Sequence, residues 1–337
     1  MSKIAKWGIA LVLIGIVGAG VGLLISVGEG QRFFEDQDYV KVTESIDADA
    51  LSRILVEMEN RRIVIGESTT ANIEVTYYES EKDPIDSSQE GDTFSLVNDP
   101  VWYWGFLWWM NWGRWFTGEK TTVTILIPEG TDWVLDLDTA NGNIEIIEVD
   151  PIASLTLDTE NGDLLLEKLA FDGLLRAKTT NGAIRLNEVQ TASLSLSTTN
   201  GRVSLTDVTT GAITLTDTNG DILFTNVVAT SIQATNTNGR YVLTDVTATG
   251  AISLITTNGN IDIVRITTVN LTCRSTNGDI EVTAHGTYED FYCTFQTETG
   301  HVRVDGENAG EGDHHATQSL RMVLRTVNGS IDLDFLD

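Results

Sequence analysis

Asn-Gly recurs along this chain at a nearly fixed step, at Asn141, Asn161, Asn181, Asn200, Asn219, Asn238, Asn258, Asn277 and Asn328. The first seven intervals are 20, 20, 19, 19, 19, 20 and 19 residues, and Thr299-Gly300 takes the same place inside the longer last one. A step this constant marks a repeat array. Such arrays grow in one dimension, so 337 residues need not divide into several globular domains.

Alignment on the asparagine shows what each repeat contributes. Six residues before it stand Leu135, Leu155, Leu175, Leu194, Ile213, Ile232, Ile252, Leu271, Cys293 and Met322, and four before it a second apolar column runs from Leu137 to Leu324. Three and five residues after it come two more, from Ile144 and Ile146 to Ile331 and Leu333. The residues between are mostly Ser, Thr, Asp, Glu and Arg, so apolar and polar positions alternate with the period of a strand. Each repeat therefore reads as two short strands about one turn. Asn-Gly is also the strongest hairpin signal. Stacked identical positions, however, carry the same residue types, as parallel in-register coils require and antiparallel hairpins do not. The expectation is an all-β parallel β-solenoid of about ten coils of 19–20 residues with Asn-Gly turns. At ~4.8 Å per coil it would be a rod of about 48 Å.

Two residues before the asparagine a polar inward column runs through Thr139, Thr159, Thr179, Thr198, Thr256, Thr297 and Thr326, with Asp217, Asn236 and Ser275 as variants. These are expected to hydrogen-bond to their counterparts in adjacent coils. The glycine of each pair is expected to supply positive φ at the corner. Outward, Arg202, Asp221 and Arg240 alternate in sign. Cys273 and Cys293 fall in inward columns of neighbouring coils, offset by two positions, which favours buried free thiols over a disulfide.

The formal charge is −28. Without a basic stripe, nucleic acid is excluded as a partner. There are seven lysines, and none follows Lys178. Residues 8–27 form an uncharged stretch long enough, at ~1.5 Å per residue, to cross a bilayer as one transmembrane α-helix. Lys3 and Lys6 precede it while Glu29, Glu35, Asp36 and Asp38 follow, which places the N-terminus in the cytoplasm and the solenoid outside. A cleaved signal peptide is the competing reading, with an unusually long apolar region and no clear cleavage site. The chain thus divides into an anchor at 1–29, irregular opening coils and cap at 30–137, and regular repeats at 138–337.

Residues 102–116, WYWGFLWWMNWGRWF, hold six of the eight tryptophans within an insert spanning 101–118. Trp and Tyr favour the membrane–water interface. The expected interface set is Trp7, Trp102, Trp104, Trp108, Trp109, Trp112, Trp115 and Phe116. The alternatives are a cap over the solenoid end and a docking site for a protein. Near the other end, Asp313, His314 and His315, with His301, raise a metal site, but adjacent histidines in an acidic Gly-rich loop read as solvated, and no metal or other cofactor is expected.

No nucleophile–histidine–acid order, zinc motif, phosphate loop or nucleotide fingerprint is present. The NGD triplets at 161–163, 219–221 and 277–279 lack the ligand-rich continuation of a calcium loop. Paired Thr and Ser such as Thr214/Thr216 and Ser195/Ser197 raise ice binding, but Arg176, Lys178 and Arg274 interrupt the rows. The motif L-x-L-x-T-x-NG-x-I-x-L, preceded by TVTILIP-x-G (Thr122 to Gly130), resembles the bacterial "putative adhesin" domain of unknown function, over roughly 45–337. That resemblance implies a strand-repeat protein, often tethered to the envelope by an N-terminal helix, with no catalytic residues to transfer. The expectation is a non-enzymatic, membrane-anchored structural or binding protein of the cell surface. Its expected partners are the bilayer, an envelope protein or glycan, or a second copy of itself. An envelope-stress accessory role through a membrane partner and a polysaccharide-acting enzyme are the alternatives.

Overall fold

The computed structural model describes residues 39–336 apart from 82, 99–119 and 151. The expected transmembrane helix at 8–27 and the interface residues Trp7, Trp102, Trp104, Trp108, Trp109, Trp112, Trp115 and Phe116 lie outside the described residues. Among the described residues no helix is long and apolar enough to cross a membrane. Apart from one 3-10 turn, Tyr288–Asp290, the regular structure described is β-strand, and the strands belong to one compact unit beginning at Lys41.

Parallel pairing joins equivalent positions of successive repeats. Leu155 faces Leu175, Leu175 faces Leu194, Leu194 faces Ile213 and Ile213 faces Ile232. After the turn, Ile144, Leu164, Ile184, Val203 and Ile222 stack in the same manner. These side chains are buried, and each is worth about 1.5–3 kcal/mol relative to exposure. Period-2 alternation keeps them on one face, so a register slip of one residue would turn every one of them outward.

Each coil has three sides where the sequence suggested two. A third ladder runs through Leu169, Val189, Val208, Val227, Val246 and Ile266, all buried. The bend before it is made by a residue with left-handed backbone that is not glycine: Glu148, Lys168, Glu188, Asp207, Asn226, Asp245 and Arg265 have φ of 52–59°. Such residues cost about 1–2 kcal/mol each, and here the ladders on both sides hold them. Their side chains stack outward, where Lys168 pairs with Glu148 and Arg265 with Asp245.

The Asn-Gly glycines are needed for a different reason from the one expected. Positive φ is found at other glycines, such as Gly91 and Gly130. A Cβ on Gly162 would lie 1.7 Å from the Gly142 carbonyl oxygen, and one on Gly182 equally close to that of Gly162. The corners stack backbone on backbone, leaving no room for a side chain. The threonine column also works differently from expectation. Thr159 Oγ1 donates to the Gly142 carbonyl at 3.1 Å and accepts from the Gly162 amide at 3.1 Å. Thr179 repeats this at 3.0 Å in both bonds. The hydroxyl ties its own turn to the coil below instead of meeting another hydroxyl.

At both ends the stacking order departs from chain order. The coil built by Arg53–Met58 and Arg62–Glu67 lies between the layer of Thr93–Asn98 and Thr122–Ile127 and the coil of Trp133–Thr139 and Ile144–Ile147. At the other end, Leu320–Arg325 and Ile331–Leu336 insert between Asn270–Arg274/Ile280–His285 and Phe291–Gln296/Val302–Val304. Antiparallel strands close the outermost layers: Asn72–Glu79 and Ile85–Glu90 at one end, Glu307–Asn308 and Gly312–His314 at the other. Reversing strand direction halts coil-upon-coil growth and covers an otherwise open edge.

Candidate functional site

The asparagines form one continuous exposed ladder. Asn161 Nδ2 donates to Asn141 Oδ1 at 2.6 Å, and the same bond recurs at 2.6–2.8 Å through Asn181, Asn200, Asn219, Asn238, Asn258 and Asn277. It extends past the Asn-Gly series to Asn60, which accepts from Asn141 at 2.6 Å. At the far end Asn328 donates to Asn277 at 2.7 Å. Thr299 Oγ1 meets Asn328 instead, at 3.4 Å. With both amide groups engaged along the ladder, these side chains hold coils in register.

Position two after the asparagine carries a second ladder that residue type alone did not reveal. Asn143 Oδ1 accepts from the Asp163 amide at 2.9 Å, Asp163 Oδ1 from the Ala183 amide at 2.8 Å, and Asp221 Oδ1 from the Arg240 amide at 3.1 Å. Arg202 stands 4.0 Å from Asp221. The acidic residues here cap backbone groups as well as carrying charge.

Acidic side chains also stack on one another. Glu57, Asp138 and Asp158 occupy equivalent positions in consecutive coils, and Lys178 closes the row with Nζ 2.8 Å from Asp158. Burial, then the Asp158 and Glu57 charges, raise the Asp138 carboxyl above its ordinary range. Farther along, Asp262, Glu281 and Asp332 form a second row, and burial with the two flanking aspartates raises Glu281. Arg240 pairs with Asp262 at its edge.

Asp217 departs from its column. Its neighbours in that column donate to the carbonyl of the coil below, as Asn236 Nδ2 does to Gly220 at 2.7 Å. Asp217 accepts from the Gly220 amide at 2.8 Å and the Thr218 amide at 2.6 Å. Burial pushes this carboxyl up to about 6 against those amide bonds.

The candidate metal residues are not brought together. His314 packs on Phe295 with ring centroids 5.5 Å apart, and His315 meets Tyr288 edge-on at 4.7 Å. His301 Nδ1 lies 2.9 Å from Ser330 Oγ, and Asp313 accepts from Thr294. Among the described residues no group of three potential ligands is assembled. Cys273 and Cys293 are buried free thiols. They are not in neighbouring coils: Cys273 faces Leu324 and Cys293 faces Met322 in the inserted layer between them. Two coil steps, about 9–10 Å, exceed disulfide reach.

Where the third side narrows, from Ile266 to Ala284 and then Phe335, a groove of about 410 Å³ opens, with an apolar floor that includes Ile266, Phe291, Leu320 and Met322. No residue pattern signals it, because the third side itself is not marked by a turn motif.

These ladders and caps define a closed-ended parallel solenoid. The family described as Toastrack DUF4097 matches residues 51–333, and the chain belongs to that family. No curated protein matches the sequence. Among solved structures, a "putative adhesin" from Parabacteroides merdae ATCC 43184 is 16% identical, with a TM-score of 0.48, and the match covers 72% of this chain and 95% of that one. A "putative adhesin" from Bacteroides fragilis NCTC 9343 is also 16% identical, with a TM-score of 0.43 and coverage of 73% and 97%. A third, from Parabacteroides distasonis ATCC 8503, is 12% identical, with a TM-score of 0.48 and coverage of 89% and 98%.

Proposed function

We propose that this protein is a non-catalytic rod of the cell envelope, anchored by residues 8–27 with its N-terminus in the cytoplasm, that presents its sides to a binding partner outside. The observation that carries this is the use made of the polar side chains. The corner Thr and Asn groups are spent on coil-to-coil hydrogen bonds, and many of the outward charges pair along the stack. Catalysis asks instead for polar groups held away from structural partners around a cleft.

The membrane reading draws on the sequence and on where the chain enters the stack. The strand Val40–Asp47 pairs with Asn72–Glu79 at the same end where Asn98 and Lys120 flank the tryptophan-rich insert. Residues 102–116 are by composition suited to rest on a bilayer. The test is fractionation and external proteolysis of cells producing the full chain, a variant lacking 8–27 and a variant lacking 101–116. The full chain should sediment with membranes and be cut from outside. Flotation with liposomes should fall in each deletion and vanish when both are combined. Recovery of the full chain in the cytosol, protected from external protease, would overturn the placement.

A further inference from the structure

The first side of the solenoid, made by the strands that precede the Asn-Gly corner, carries an outward row three residues before each asparagine. It begins with Glu57, Asp138 and Asp158 and passes Lys178. Uncharged Ser197, Thr216, Thr235 and Ile255 follow. The row then reaches Arg274 and Arg325, which face each other in adjacent coils. Elsewhere Arg62, Lys168, Arg185 and Arg265 sit on carboxylates of neighbouring coils. Among the described residues Arg274 and Arg325 meet none: their other neighbours in the row are Ile255 and Gln296, and Arg325 Nε is buried without an acceptor. Stacked cations without a counter-charge are unexpected in a chain of net charge −28. At the opposite end of the row the sign is reversed, with Asp138 held between Glu57 and Asp158 and in no ion pair among the described residues.

We propose that two copies of this chain pair first side to first side, antiparallel, about a twofold axis lying over Thr216 and parallel to its strand. The register fixes that axis. Asp138 lies four coils before Thr216 and Arg325 four coils after it, while Asp158 and Arg274 lie three coils to either side. Rotation about the axis sets Asp138 of one copy on Arg325 of the other and Asp158 on Arg274, and each contact occurs twice, as an isologous interface requires. Ser197 comes opposite Thr235. Lys178 and, in the adjoining row, Arg176 come opposite the uncharged Ile255 and Ser253, so no like charges meet in these two rows. The second side is not self-complementary in this way. Its row carries Glu145 four coils before Leu223 and Asp332 four coils after it, so the same rotation would set acid on acid. From Asp138 to Arg325 is about 38 Å at ~4.8 Å per coil, and a six-residue strand spans about 20 Å. Two faces of that size bury on the order of 1,500 Å² in total, the area of an ordinary stable interface. The ion pairs fix register and steer approach more than they add affinity.

The pairing supplies a partner for the binding reading above and rests on that reading. The test is sedimentation equilibrium of the purified full chain in non-ionic detergent. The wild type should be dimeric at micromolar concentration in low salt and should dissociate as salt rises. Arg325→Asp and Asp138→Arg each put the new charge beside opposite charges in its own row, Arg274 in one case and Glu57 and Asp158 in the other. Neither should disturb folding, which circular dichroism checks. Each should weaken the dimer at least about tenfold, and the two combined should return it to within about threefold of the wild type. Thr216→Cys, on the axis, should give a covalent dimer with a short bismaleimide, since packed sheets lie ~10 Å apart. Thr225→Cys, exposed on the second side of the same coil, should not, and the native thiols are buried. A monomer at every concentration overturns the proposal, as does a dimer indifferent to both charge reversals or one linked at Thr225 in preference to Thr216. Fractionation reads the membrane placement alone, so failure of the pairing and failure of that placement are told apart.

Discussion

Gly182→Ala tests the claim that the Asn-Gly corners are set by space and not by φ. The new Cβ would stand 1.7 Å from the Gly162 carbonyl oxygen, and real Cβ contacts stay beyond 3.0 Å, so the corner must open by at least 3.0 − 1.7 = 1.3 Å. Four bonds cross that corner: Thr179 Oγ1 to Gly162 at 3.0 Å, Asn181 Nδ2 to Asn161 at 2.6 Å, and the Thr180 and Asn181 amides to Glu160 at 3.2 and 2.8 Å. A displacement of that size carries each beyond hydrogen-bond range. At ~0.5–1.5 kcal/mol apiece, with some relief by tilting, the loss is about 3–5 kcal/mol, comparable to overpacking a core. Local opening would rise by a factor of about 10² to 10⁴. Native-state hydrogen exchange at amides 179–184 reads this directly, with urea unfolding as the global measure. Gly130→Ala is the contrast: φ is 94° and nothing lies within 4 Å of its added Cβ, so it should cost only about 1–2 kcal/mol. If Gly182→Ala stays within about 1 kcal/mol of the wild type, or is milder than Gly130→Ala, the spatial argument fails.

Other outcomes follow from the same geometry. Burial pushes the folded-state pKa of Asp217 up to about 6, above its unfolded value, so the folded chain holds the extra proton between those two values. Stability from this group therefore declines as pH rises from about 4 to 6, by on the order of 1–3 kcal/mol. Asp217→Asn should flatten that part of a melting-temperature profile and raise stability at pH 8; a parallel profile would refute the assignment. Arg61 is buried, donating to the Tyr78 carbonyl at 2.6 Å and to Asp83 at 2.8 Å. Asp83→Ala should cost about 1–3 kcal/mol in denaturant unfolding, because it removes a carboxylate to which buried Arg61 donates. Burial raises both thiols, Cys293 to about 12, so a thiol reagent at pH 8 should label neither cysteine until urea unfolds the coils. Asn200→Ala, in mid-ladder, should cost only ~1 kcal/mol, since its amide is exposed.

The repeat step and its columns were sufficient to predict a parallel stack. Period-2 alternation and a recurring corner leave few other ways to bury Leu155, Leu175 and Leu194 together. The buried state of both cysteines was legible for the same reason, because they occupy Leu positions. The third side was not. Its bend is made by Asp207, Asn226 or Lys168 with left-handed backbone, and no residue type marks a conformation that only the flanking ladders enforce. The threonine and glycine roles were half legible: the columns announced a corner, but which atom meets which depends on how closely two backbones stack.

Coil order was beyond the sequence altogether. Each coil presents equivalent residues above and below, so Asn277 could meet Thr299 or Asn328 with similar local energy. The choice of Asn328 is settled by the antiparallel caps over Phe291–Gln296 and Val302–Val304, which occupy the outer face of that layer and leave its inner face for the inserted coil. The groove on the third side follows from that same departure of the chain after His285. Sequence by itself determined two sides of each coil and the corner between them, because burial pattern is local and repeated. Tertiary structure alone decided which coil lies on which, because stacking energy between near-identical neighbours carries no chain order.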